Sequence, residues 1–180
     1  MSGAREIPDP GFPDDTGAAD AALAAALGAY AADPAGPGRY AAVLAALGPA
    51  RVVVPVVAVL GEAETGADGL VRDTSADMAA VLLQRPDGRR ALLAFTGTDA
   101  LARWDPEARP VPVPTRTAAQ AALQEEAAAL VLDVAGPVQV AVSGDDLTAL
   151  AAGWRLARLD AGGDAAGGTT TYGWIGPGSE

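Results

Sequence analysis

The sequence predicts an α+β domain: a mixed β-sheet of about five strands with helices packed on it, two leading helices and one closing helix. Three observations carry this expectation. Two alanine-rich stretches near the start place larger apolar residues at helical spacing. A continuous β-branched run, VVVPVVAVL at residues 52–60, reads as a strand buried on both faces. Two further apolar runs flank Arg85-Pro86-Asp87-Gly88-Arg89, and Asp-Gly between such runs signals a hairpin. Helices and strands mix without strict alternation, so one antiparallel hairpin is expected beside strands that helical connections bring in parallel.

Taken in order, residues 1–16 hold three prolines and four acids and are expected to form a disordered tail. Residues 17–32 read as a helix with Leu23, Leu27 and Tyr30 on one stripe, capped by Asp15 or Thr16 and ended by Asp33-Pro34. A second helix carries Tyr40, Val43, Leu44 and Leu47 and stops at Gly48-Pro49. In the strand that follows, Pro55 lacks a ladder donor and is expected at an edge or a bulge. Residues 61–76 form a loop rich in Gly, Asp and Glu, and 78–84 with 90–95 form the hairpin strands. Residues 98–104 read as a short helix. RPVPVP at 109–114 is an extended segment whose alternate prolines bar it from a central position. Residues 117–128 are expected to be helical with Leu123 and Ala127 inward, residues 130–133 and 138–142 to be strands, and residues 145–159 to be the closing helix. Residues 160–180 are Gly- and Thr-rich and read as a flexible tail, leaving a single folded domain at 17–159. No internal repeat of solenoid period is present.

The order VVVPVVAV, SADMAAVLL, a PDGR turn, ALLAFTGTDALARW, RPVPV, ALVLDVAGP and an alanine-rich helix is similar to the N-terminal domain of the SseB family, named for enhanced serine sensitivity. The leading helices ending in LGPARVVVPV resemble it too, so the similarity spans residues 17–157. Two positions depart from the family pattern. Val134 stands where DPAGP has its proline, and Phe95-Thr96-Gly97 stands where the family has an FTS-type segment. The resemblance implies the fold. It implies no catalytic residues, because the family has no assigned enzymatic mechanism. The family name also covers a secretion-apparatus protein, but no secretion signal or needle-type coiled coil is visible here.

Composition narrows the chemistry. The net charge is −11, from 23 acids against 12 arginines, which argues against nucleic acid as a partner because phosphate binding requires cations to replace counterions. Lysine, histidine, cysteine and asparagine are all missing. Without cysteine there is no disulfide framework and no thiolate metal site. The N-terminus is polar and acidic, unlike a signal peptide, and the longest apolar run is too short to span a bilayer, so a cytoplasmic protein is expected.

Thr96-Gly97-Thr98-Asp99 places hydroxyls beside a glycine and a carboxylate. A nucleophilic threonine needs a base, and the chain has no His, Cys or Lys. Thr96 with Asp99 has capping-box-like spacing and Thr98 is the competing cap, so a strand-to-helix corner is the stronger reading. Backbone amides there could hold an anion. Ser143 with Asp146 repeats the capping logic before LTALAAGW. Glu62, Glu64, Asp68, Asp73 and Asp77 offer hard oxygen ligands but lack EF-hand spacing, and a solvated acidic loop is expected. No P-loop lysine motif exists, and the glycines at 162–168 lack the strand–loop–helix setting of a dinucleotide loop.

Two groups remain as candidate partner contacts. Arg85, Arg89 and Arg90 are the densest positive cluster and suit a phosphate or an acidic partner. Tyr172, Trp174 and Ile175 stand beyond the glycine-rich stretch and suit either docking on a partner or packing back on the domain. The expected function is a non-enzymatic protein-interaction or regulatory domain with an unknown protein partner or a second copy of itself. No catalytic, cofactor-binding or metal-binding residue is assigned and no cofactor is expected. The alternative is a small-molecule-binding or metal-assisted enzyme using Asp73, Asp77 or Asp133 with an arginine, and it requires a pocket gathering those acids.

Overall fold

Alternating apolar positions in short strands give a sheet two faces, and the alanine-rich helices can lie close against one of them. The computed structural model describes residues 12, 15–59, 77–159 and 171–178. Its elements run α1 (Ala21–Ala32), α2 (Arg39–Leu47), β1 (Arg51–Val59), β2 (Asp77–Ala80), β3 (Leu82–Gln84), β4 (Arg90–Ala94), α3 (Thr98–Trp104), β5 (Arg109–Pro114), α4 (Thr115–Gln124), β6 (Ala129–Leu132), β7 (Val140–Ser143), α5 (Gly144–Ala151), β8 (Arg155–Leu159) and β9 (Thr171–Ile175). The class is α+β. The strands fall into three hydrogen-bonded groups, β2-β1-β5, β3-β4-β6-β7 and β8-β9, rather than one five-stranded sheet.

The first two groups are stitched together. Val53 and Phe95 exchange both backbone hydrogen bonds at 2.8 Å. Val81, between β2 and β3, donates to Pro55 O and accepts from Leu93 N, so one strand passes from β1 to β4. This explains Pro55, which sits in a central strand and not at an edge. It falls between Val53, which bonds Phe95, and Val56, which pairs with Ala80. At that gap its missing donor costs no ladder bond. In β5 the register sets Pro110, Pro112 and Pro114 opposite Pro55, Val53 and Arg51. The ladder bonds therefore fall on Val111 and Val113, and the missing donors lie on the outer edge. β4 and β6 are parallel, joined through α3, β5 and α4; the other pairings are antiparallel.

The main core lies between the sheet and α1, α2, α4 and α5. It holds Leu23, Leu47, Val52, Leu92, Leu130, Leu132, Val142, Leu147 and Leu150. α4 enters it with Thr115, Ala118, Ala119 and Ala122, a helical stripe of small residues that brings the helix close to the strands. Leu123, expected inward, is 42% exposed; Ala127 is buried, but beyond the end of the helix. A second, smaller cluster of Val53, Leu93, Phe95, Ala100, Leu101 and Val131 lies on the opposite face under α3, where Trp104 packs on Phe95 with ring centroids 5.5 Å apart.

Several boundaries differ from expectation for local reasons. α1 starts at Ala21 because Asp20, not Asp15 or Thr16, accepts from the Leu23 amide at 2.9 Å. The closing helix ends at Ala151, since Gly153 adopts φ +79° and turns the chain back. Residues 155–159 are the strand β8 instead of a helical continuation, and residues 171–175 are its partner β9 instead of a flexible tail. The acidic loop carrying Glu62, Glu64, Asp68 and Asp73 lies outside the described residues, as does most of 1–16.

Candidate functional site

The corner at the end of β4 is built from three chain segments. β4 and β6 run side by side, so the residues that follow them, Phe95-Thr96 and Asp133, emerge at the same sheet end. Asp133 is buried, at 7% exposure, and its carboxylate accepts from the Thr96 amide at 2.9 Å and the Thr96 hydroxyl at 2.8 Å. Its backbone sits at φ +50°, in the left-handed region, and its own amide donates to Ala94 O. Arg51 closes the corner. It donates from Nη1 to Thr96 O at 2.6 Å and through Nε and Nη2 to both oxygens of Asp15, at 2.7 and 2.8 Å. That pairing holds the Asp15 carboxyl below its ordinary value of 3.8.

This arrangement corrects the capping expectation. The Thr96 hydroxyl is committed to Asp133, the N-cap of α3 is Gly97, and neither threonine supplies a side-chain cap. Ser143 is the N-cap of α5 as expected, but it too makes no side-chain cap bond. Gly97 is extended, so its requirement is steric: a Cβ there would lie 2.8 Å from Gly17 O and 2.9 Å from Ala19 N. The Thr96 and Thr98 amides, candidates for holding an anion, already donate to Asp133 and to Gly17 O. The corner is a structural clasp, with its nucleophile and carboxylate bonded to each other.

A different surface gathers the sequence-predicted arginines. In the four-stranded sheet, cross-strand pairing sets Leu83 against Ala91, Ala91 against Ala129, and Ala129 against Ser143. This row faces away from the main core. The next row, Leu93–Val131–Ala141, is covered by α3 only in part, because that helix is seven residues long. The uncovered portion is a depression of about 460 Å³ floored by Leu83, Ala91, Ala129, Val131 and Ala141. Arg85, Arg89 and Arg90 line it. The hairpin turn that carries them closes by Arg85 N to Arg89 O and Gly88 N to Arg85 O, both at 2.9 Å, with Gly88 at φ +81°.

Two of these arginines form ion pairs. Arg89 pairs with Asp87 at 2.8 Å, which lowers the Asp87 pKa, and Arg90 meets Glu126 at 3.2 Å. Both acids are solvent-exposed, so these pairs are weak and exchangeable. Arg85 makes no ion pair among the described residues. The floor was missed by sequence reasoning. Its signal was the small residue at alternate positions of RALLA, ALVL and VAVS, which becomes a surface only when the register is known.

The aromatic candidates are placed elsewhere. Tyr172 and Trp174 lie on β9 and pack against the main core, while Ile175 is 44% exposed. The Trp174 indole donates to Asp146 Oδ1 at 3.3 Å. Nearby, burial and the Asp146 carboxylate push the Tyr40 hydroxyl up to about 12. The structure thus separates the two predicted contact groups onto different surfaces.

Of the acids named for metal-assisted chemistry, Asp133 is bonded to Thr96, Asp73 lies outside the described residues, and Asp77 is described only in its backbone as the start of β2. Among the described residues no three His, Cys, Asp or Glu gather in a metal-binding group, and no helix is long and apolar enough to cross a membrane. Compared with known families, residues 23–149 match the model of the SseB protein N-terminal domain. No curated protein and no solved structure gives a significant match.

Proposed function

The chain belongs to the SseB family, with the family's N-terminal domain covering more than half its length, and from that premise we propose that it works as a non-enzymatic protein-interaction or regulatory domain. The carrying observation is the depression on the open face of the four-stranded sheet, with its apolar floor and its three arginines, in a chain of net charge −11. Uncovered apolar sheet surface bordered by charge is how a protein contact site is built: the floor supplies area, and the rim supplies orientation and selectivity. The buried carboxylate and hydroxyl of the corner support the same reading, since they satisfy each other and leave no free pair for acid–base work.

The reading is tested by affinity capture from the source cells, followed by quantitative binding of any recovered partner. The baits are the full chain and a variant carrying Arg85→Glu, Arg89→Glu and Leu83→Asp. These side chains are exposed, so the variant is expected to fold normally. A partner, or a second copy, bound by the full chain and at least tenfold more weakly by the variant supports the proposal. Equal binding by both, or recovery of no specific partner, overturns it.

A further inference from the structure

A second concavity, of about 290 Å³, lies along α5 and is independent of the arginine rim. Its floor is the helix stripe Asp145, Thr148, Ala149 and Ala152, at i, i+3, i+4 and i+7, and its walls are Trp154 and Trp174. The fold holds both indoles in place. Gly153, at φ +79°, ends the helix, and the Trp154 amide bonds Ala149 O at 2.9 Å. Trp174 pairs with Leu156 across the β8–β9 hairpin, and its indole nitrogen is tied to Asp146. A Cβ on Gly176 would stand 3.5 Å from the Trp154 ring, so the end of β9 backs that ring. Both indoles line the concavity without a ring contact to each other. Trp154 is 43% exposed, a large apolar surface for a side chain held by its neighbours.

The lining chemistry selects the occupant. Indole faces carry negative potential and attract cations. The one formal charge on the floor is the Asp145 carboxylate, which is exposed and has no ion pair among the described residues. Asp146 adds a second carboxylate, bonded to the Trp174 indole nitrogen. Two lining indoles and a carboxylate without an ion pair among the described residues fit a planar guanidinium better than a compact ammonium, because the plane can stack on an aromatic ring while its edge donates hydrogen bonds. We propose that the Trp154–Trp174 groove over α5 receives an arginine side chain of a partner protein, stacked on indole and paired with Asp145.

The test is a titration of the full chain, followed by tryptophan fluorescence, with a synthetic Gly-Arg repeat peptide. Peptides of the same length with lysine or with citrulline in place of arginine are the comparators. Citrulline keeps the planar shape and removes the charge. The expected result is saturable binding of the arginine peptide, several-fold weaker binding of the lysine peptide, and binding of the citrulline peptide weaker by tenfold or more. Trp154→Ala and Asp145→Asn should each weaken arginine binding by roughly three- to tenfold. Asp99→Asn removes an exposed carboxylate on α3 and should change nothing. If Trp154→Ala fails to fold, the exposed Asp145→Asn change decides alone. Equal binding of arginine and citrulline peptides overturns the proposal. So does the lack of any saturable signal, or an Asp99→Asn loss as large as that of Asp145→Asn, which would mark diffuse attraction to an acidic chain.

Discussion

At the scale of single residues, Asp133 carries the most structure per atom. It combines a left-handed backbone with a buried carboxylate that accepts two hydrogen bonds from Thr96. Asparagine tolerates that backbone and can still accept from the amide through Oδ1. Asp133→Asn is therefore expected to cost about 1 kcal/mol in urea denaturation, and Asp133→Ala about 3 kcal/mol, because alanine strands two buried donors. Equal losses would mean that the second carboxylate oxygen, which asparagine lacks, and not the left-handed backbone, carries the effect. Asp15 gives a pH signature. Its pKa in the folded chain lies below 3.8, so the Arg51 pair contributes stability above that value and loses it as pH falls through the lowered one. Asp15→Asn is expected to destabilise by up to about 1 kcal/mol at neutral pH, with wild type and variant converging in acid. A gap that persists in acid would show that the hydrogen bonds to Arg51 matter independently of charge. The Thr96–Asp133 bond was not legible in sequence, because it joins residues 37 positions apart and the nearer Asp99 offered a familiar local pattern.

At the scale of elements, what was legible was whatever is written locally. The PDGR hairpin, α3 and the stop at Gly48 needed only neighbouring residues. β8 was not legible. Leu147, Leu150 and Trp154 continue a helical spacing, and the partner strand β9 lies beyond the glycine-rich stretch, so only a non-local pairing could show that RLARL is extended. The consequence is measurable. Deleting residues 161–180 should destabilise the chain by about 3 kcal/mol, since it uncovers Leu156 and removes Tyr172 and Trp174 from the core. An unchanged melting temperature would return the segment to the status of a tail. The arginine cluster was legible as composition, but its apolar floor draws one or two residues from each of four strands and exists only once the register is set. β5 illustrates the opposite case, in which sequence states the edge directly. Proline at 110 and 112 removes outward donors, and Pro110→Thr with Pro112→Thr should restore them and promote edge-to-edge association, read by light scattering. A variant that stays in the wild-type oligomeric state would show that something other than the missing donors protects that edge.

At the scale of the whole molecule, charge is unevenly used. The chain carries −11, yet the ion pairs among the described residues are Arg51–Asp15, Arg89–Asp87 and Arg90–Glu126, and the last two are solvent-exposed. Most of the described acids therefore have no paired cation and add to the repulsion of the net charge. The two proposed surfaces exploit this background in opposite ways. An arginine rim is selective because positive charge is scarce here, whereas the Trp154–Trp174 groove adds indole faces to a charge the chain has in excess. Screening should reveal the balance. Raising salt from about 0.01 M to 0.15 M shortens the Debye length from about 30 Å to about 8 Å, which removes long-range repulsion while leaving close, partly covered pairs such as Arg51–Asp15 largely intact. The melting temperature is therefore expected to rise by a few degrees over that range, with most of the gain below 0.1 M. A fall instead would mean that attractive pairs outweigh the repulsion of the net charge. In that case the acids must be organised around the arginines, and the rim would be a set of closed ion pairs with little charge left to offer a partner.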